Sequence, residues 1–186
     1  MWNRFNAPKV ENIVKSIDLV HASGGAIPST DLPLVATIHD LSWREQHDWF
    51  PARGKRFAET WLVKARKAER IICPSQRTFK DLVKAGFDEQ IIRVVPLGVA
   101  TRKVCEEQVE GLLEKNSIST PFVLWVGTIE PRKNIPTLLQ AMQQVPEIPL
   151  VLVGPKGWES DLQSAIEPIR ERVKIIGEVD EATKHI

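Results

Sequence analysis

The sequence predicts an α/β fold made of two Rossmann-like parallel-sheet units, on three observations. Short apolar runs rich in β-branched residues recur along the chain, longer stretches with helical spacing separate them, and the alternation breaks once near residue 100. Apolar runs of that length suit strands buried on both faces, which means parallel sheets covered by helices.

The elements follow in order. The chain opens on the helix-like "VENIVKSI", followed by the strand candidates "DLVHA" (18–22) and "LVATIHD" (34–40). Phe57, Trp61, Ala65 and Ala68 recur at helical spacing and predict a helix that buries them. "RIICPS" (70–75) is the next strand. Ser75 is a natural N-cap for "QRTFKDLVKA", with Gly86 as its stop. "RVVPLG" (93–98) closes the first unit, residues 1–100. The polar stretch 101–120 lacks strand character and is expected to be the joint to a second unit, residues 121–186. There "FVLWVG" (122–127), "PLVLVG" (149–154) and "VKIIG" (173–177) read as strands. Leu138, Leu139, Met142 and Val145 line a helix, and Asp180 caps a final helix start. Both units are expected to be incomplete: the first lacks a leading strand and Gly-rich loop, and the second stops after three strands.

Composition narrows the function. The 25 basic and 24 acidic residues nearly cancel, so no global field favours nucleic acid, which is not an expected partner. The two cysteines, Cys73 and Cys105, form no metal or redox spacing and read as reduced thiols of a cytoplasmic protein. No run approaches the roughly 20 apolar residues of a membrane span, and the start "MWNRFNAPKVEN" lacks a signal-peptide core. The basic run of Arg53, Lys55, Arg56, Lys64, Arg66, Lys67 and Arg70 is either a solvated face or a peripheral contact with the inner face of an anionic membrane.

The densest chemistry lies in "VGTIEPRKN", residues 126–134. It joins a strand to a helix whose start is marked by Asn134 as N-cap and Pro136 in the first turn. Backbone N–H groups, a helix N-terminus and the cations Arg132 and Lys133 then meet at a sheet edge, with Gly127 allowing close approach and Thr128 adding a hydroxyl. That combination suits a phosphate group. The stretch is neither GxGxxG nor a Walker A loop. The residues alone leave a second reading open, in which the loop is solvated and Glu130 pairs with Arg132 or Lys133.

"FVLWVGTIEPRKNIPTLLQAMQQV", "PLVLVGPKGW" and "VKIIGEVDE", in that order after "LPLVATIHDLSW", "ERIICPSQRTFKDLVKAGF" and "IIRVVPLGV", resemble the family 4 (group 1) retaining glycosyltransferases of GT-B fold, in their mannosyltransferase-like branch. The resemblance implies two Rossmann-like domains across a cleft, with a nucleotide-diphosphate sugar as donor, held mainly by the second. It places the donor diphosphate on Gly127, Thr128, Arg132 and Lys133 and the nucleobase near Val179, with Gly154 and Lys156 bordering the ligand. Many relatives carry an Arg where this chain has Thr128. His39, in "TIHDL", matches a family histidine near the transferred sugar and is the catalytic candidate, with Asp40 either orienting it or capping the next segment. His21 reads as structural, and Trp43 and Trp49 as packing or sugar-stacking residues.

The family's leaving phosphate assists the acceptor, so neither a metal nor a cofactor is expected. The implied reaction moves a hexose, possibly mannose, to a saccharide or lipid-linked acceptor with retention. The family's E-x7-E motif would lie beyond residue 186, so an inactive nucleotide-binding or scaffold fragment is the competing reading.

Overall fold

The computed structural model describes residues 7–45, 49–100, 103–157 and 162–184. Its chain divides into two compact units, residues 1–99 and 100–186.

In the first unit, strands β1 (Val20–Ala22), β2 (Leu34–Thr37), β3 (Arg70–Cys73) and β4 (Ile92–Val94) form one parallel sheet in the order β1-β2-β3-β4. Short helices α1 (Val10–Ile13) and α2 (Ser42–Glu45) accompany the longer α3 (Ala52–Ala65) and α4 (Gln76–Lys84). Ile38, Ile71, Cys73, Leu62 and Leu82 lie fully inside. Each such aliphatic side chain contributes roughly 1.5–3 kcal/mol by leaving water. Of the expected stripe Trp61, Ala65 and Ala68 are buried, with Leu62 beside them, and Phe57 is the exception. Phe57 is 49% exposed, because Ala58 takes the inward position one step along and the wheel turns Phe57 outward. Ser75 caps α4 as expected, its hydroxyl accepting from the Thr78 N–H at 3.1 Å, and Gly86 follows the helix with φ of 81°. Trp43 is a packing residue: it is buried, meets Trp61 at 6.4 Å between ring centroids, and donates its indole N–H to Glu59 at 2.8 Å.

The second unit holds a parallel sheet in the order β5-β6-β7, from β5 (Val123–Val126), β6 (Leu150–Val153) and β7 (Val173–Gly177). Trp125, Leu150 and Leu152 pack with Leu139 and Met142 of α6 (Ile135–Gln143) and with α7 (Leu162–Ile166). The stretch expected as a joint is different in kind. It contains helix α5 (Glu106–Lys115) and groups with the second unit. Val109, Leu112 and Leu113 supply the apolar stripe that "EEQVEGLLEK" carries between its charges, and they line a cavity of about 150 Å³ with Leu124, Val126 and Val151. Lys174 of β7 ties the helix end down, its ammonium donating to the Asn116 and Ser117 carbonyls. Short helix α8 (Glu181–Lys184) closes the described chain and is capped, as expected, by Asp180, which accepts from the Thr183 N–H at 2.7 Å.

The two thiols give a simple check on the core. Cys73 is fully buried, and burial pushes its thiol above the ordinary cysteine value, whereas Cys105 is exposed. The thiolate is the reactive form. A thiol reagent at neutral pH is expected to modify one cysteine quickly, with Cys73 reacting only on unfolding; mass spectrometry of the labelled peptides reads this out.

Candidate functional site

In a parallel sheet the C-terminal strand ends gather at one edge, where the following loops can hold a ligand. At that edge of the second sheet lies a cavity of about 600 Å³, bordered by Gly127 and Thr128 after β5, Gly154 and Pro155 after β6, and Glu178 and Val179 after β7. Four of the residues singled out from sequence, Gly127, Thr128, Gly154 and Val179, therefore share one space.

The wall of that space is two turns zipped side by side. Beyond the strands the ladder continues, with Gly127 N–H donating to Val153 O at 2.9 Å and Ile129 N–H to Pro155 O at 3.1 Å. Ile129 and Lys156 form a further parallel bridge, so Lys156 acts here through its backbone while its side chain is exposed. The approach is so close that a Cβ on Gly154 would lie 2.0 Å from Gly127 O, and one on Gly157 2.2 Å from Ile129 O. Gly154 is thus a packing glycine, and Gly157, which sequence reasoning passed over, is its counterpart. The doubled Gly of "VGPKGW" was the only trace of it.

The charged turn departs from expectation in three ways. Asn134 is not a side-chain N-cap: it sits in left-handed backbone (φ 50°, ψ 42°) and its side-chain oxygen accepts from the Thr137 hydroxyl at 2.9 Å. Residues Pro131–Lys133 form a single 3-10 turn that Asn134 terminates, and that turn requires the reversal of backbone hand. Second, two amides offered to a phosphate are already used, Lys133 N–H bonding Glu130 O at 2.9 Å and Asn134 N–H bonding Pro131 O at 3.0 Å. Third, the cations separate. Arg132 pairs with the carboxylate of Glu130, which is buried at 5% exposure, while Lys133 Cε lies 3.9 Å from the Cβ position of Gly127. The Glu130 pair of the second reading is present, with Arg132 as its partner, and Lys133 is left beside the strand end.

Acidic groups border the same cavity. Asp180 is occupied as a cap, and the Thr183 N–H holds its carboxyl below the usual aspartate value. Glu181 pairs with Lys184. Neither Glu181 nor Lys184 was singled out from sequence; their i,i+3 spacing behind a capping Asp was the available signal. Among the described residues, no three His, Cys, Asp or Glu side chains group as a metal site.

In the first unit, His39 and Asp40 follow β2 and are exposed. His39 Nε2 lies 3.1 Å from Ser23 O. A carbonyl can only accept, so Nε2 is the donor, and in the neutral ring Nδ1 is the acceptor. Thr78 fixes the backbone beneath it, donating to His39 O at 3.0 Å. Of the two roles open to Asp40, capping is the one observed: its Oδ1 accepts from the Ser42 N–H at 2.9 Å at the start of α2. His21 bonds Thr37 Oγ1 at 2.8 Å, as a structural histidine would.

The profile described as Glycosyltransferase Family 4 matches residues 1–103, more than half of the 186-residue chain. The chain belongs to Glycosyltransferase Family 4. Within reach of this family assignment, O-antigen chain mannosyltransferase B of Escherichia coli is 30% identical over 138 residues, 69% of this chain and 36% of that protein. A match of that length exceeds either unit alone. Among solved structures, Anabaena HepE in complex with UDP-glucose aligns with a TM-score of 0.70 at 19% identity, covering 90% of this chain and 50% of that one. The HepE complex with UDP aligns at 0.65 and 21% identity, over 82% and 44%. These likenesses show the GT-B fold: two α/β units, each on a parallel sheet. The Family 4 chain spans between a third and a half of the length of these relatives.

Proposed function

We propose that this chain belongs to a retaining glycosyltransferase that moves a hexose from a nucleotide-diphosphate sugar to a saccharide or lipid-linked acceptor. The observation that carries the reading is the roughly 600 Å³ cavity at the β5–β7 strand ends, where Gly127, Thr128, Gly154 and Val179 meet, with Lys133 Cε 3.9 Å from the Cβ position of Gly127. It is supported by relatives whose names include a mannosyltransferase and complexes with UDP and UDP-glucose. Mannose is the sugar we favour, from the Escherichia coli relative.

The chemistry follows from where charge develops. Breaking the anomeric bond leaves an oxocarbenium-like sugar and a diphosphate gaining negative charge. A cation set against that diphosphate binds the transition state better than the ground state, which is how binding becomes rate. The diphosphate lies along Gly127 and Thr128 with Lys133 on it, and the nucleobase reaches Val179. The leaving phosphate takes the acceptor's proton, so the reaction uses no metal and no cofactor. His39 presents Nδ1 as an acceptor to a hydroxyl of the transferred sugar.

The protein works in the cytoplasm, in peripheral contact with the inner membrane face. No helix of the described residues is long and apolar enough to cross a membrane. The basic face is narrower than the sequence suggested, because Arg66 is committed to the Ala85 and Gly86 carbonyls and stacks 4.7 Å from the Phe87 ring. Arg53, Arg56 and Lys67 remain exposed to meet anionic lipid.

The test is transfer itself. The chain is incubated with GDP-mannose, UDP-glucose and a lipid-linked saccharide, and products are resolved by mass spectrometry and anomeric NMR. A retained-configuration product is expected from one donor. If no donor reacts while nucleotide still binds, the fragment reading prevails.

A further inference from the structure

We infer that Arg132 serves the diphosphate site indirectly, as a positioning residue: paired with buried Glu130, it is the strut that holds Lys133 over Gly127. The inference rests on the reading of this turn as the donor diphosphate site and assigns the two adjacent cations different roles in it.

The backbone separates them first. Glu130 is extended (φ −144°, ψ 154°) and sends its carboxylate inward, to 5% exposure. The next three residues make one 3-10 turn, closed by the Lys133 and Asn134 amides. Successive side chains on such a turn diverge by about 120°. Arg132 and Lys133 therefore cannot address the same point. One folds back across Pro131 onto Glu130; the other brings its Cε to 3.9 Å from the Cβ position of Gly127.

Electrostatics then explains why the pair is there. A buried carboxylate left alone would be strongly destabilising, and beside a diphosphate it would also repel the ligand. Arg132 cancels that charge. What the turn's own charged residues present to the ligand is then the ammonium of Lys133, carried on a turn whose preceding residue, Glu130, is buried and paired with the exposed Arg132.

Isothermal titration of the full chain with inorganic pyrophosphate and with UDP or GDP, alongside thermal unfolding of each variant, tests the assignment. Lys133→Ala is expected to weaken binding about 30-fold, the size of a lost charged contact, with its melting temperature unchanged. Arg132→Ala is expected to weaken binding and also lower the melting temperature. The diagnostic variants remove both charges of the pair, as Glu130→Gln with Arg132→Gln, and as Glu130→Leu with Arg132→Met in case the first packs poorly. Neutral pairs of similar volume often replace buried ion pairs at little cost. Either double variant is expected to bind within about threefold of wild type and to keep its salt dependence, because Lys133 still carries the contact. Should both double variants bind as weakly as Arg132→Ala, with a shallower salt dependence, Arg132 touches the ligand and the inference is overturned. Should Lys133→Ala and every other variant bind like wild type, the turn is not a diphosphate site at all, and the reading beneath the inference fails instead.

Discussion

Gly154→Ala is expected to lose the second unit's fold at the strand ends. The added methyl would sit 2.0 Å from Gly127 O and 2.7 Å from Gly127 C, both backbone atoms of a turn that is itself bonded into the ladder. No flexible side chain can swing aside to admit it. The residue also has φ of 137°, where a side chain is strained whatever the space. Overpacking in a tight site and unfavourable backbone hand together correspond to about 3 kcal/mol or more. Chemical denaturation followed by Trp fluorescence measures this, since Trp125 lies on β5 beside the affected turn. A variant that unfolds within about 0.5 kcal/mol of wild type, the range of an ordinary surface change, would mean that the two turns are not zipped.

Lys133→Ala is expected to produce the largest loss in binding with the smallest loss in stability. Its side chain is exposed and makes no ion pair among the described residues, so removing it leaves nothing buried unsatisfied. Its Cε nevertheless lies 3.9 Å from the Cβ position of Gly127, a residue that borders the roughly 600 Å³ cavity. One charged contact with a diphosphate corresponds to about 1.5–3 kcal/mol, or about 10- to 150-fold in affinity. Thr128 offers a hydroxyl and no charge, which leaves Lys133 to supply the charge at this strand end. Titration with UDP or GDP reads the loss, and an unchanged affinity would remove Lys133 from the site.

Much of this architecture was legible because it rests on local rules. The seven apolar runs all became strands: "VKIIG" kept its bounds, "RVVPLG" gained Ile92 and lost its last four residues, and the other five were trimmed by two residues or more. Ser75, Gly86 and Asp180 behaved as capping residues because caps depend on a few adjacent atoms. Helix α5 was harder to see. Its stripe of Val109, Leu112 and Leu113 is short and set among five acidic or basic neighbours, and only packing on Leu124 and Val126 reveals its purpose. The charged turn marks the limit of such reading. Sequence puts Arg132 and Lys133 side by side, but which of them turns inward depends on the burial of Glu130 and the left-handed Asn134, and those are settled by tertiary packing. Gly154 shows the same limit. A glycine at a strand end reads equally as room for a ligand or as room for a neighbouring backbone, and only the 2.0 Å approach decides for the second.

A nucleotide diphosphate is expected to bind at the strand ends of β5–β7. Backbone amide NMR of the full chain during titration with UDP and with GDP examines it most directly. Saturable shifts are expected to concentrate at Gly127, Thr128, Gly154 and Val179, with the first unit's β1–β4 core silent. Shifts that fail to saturate, or that gather away from these four residues, would contradict it.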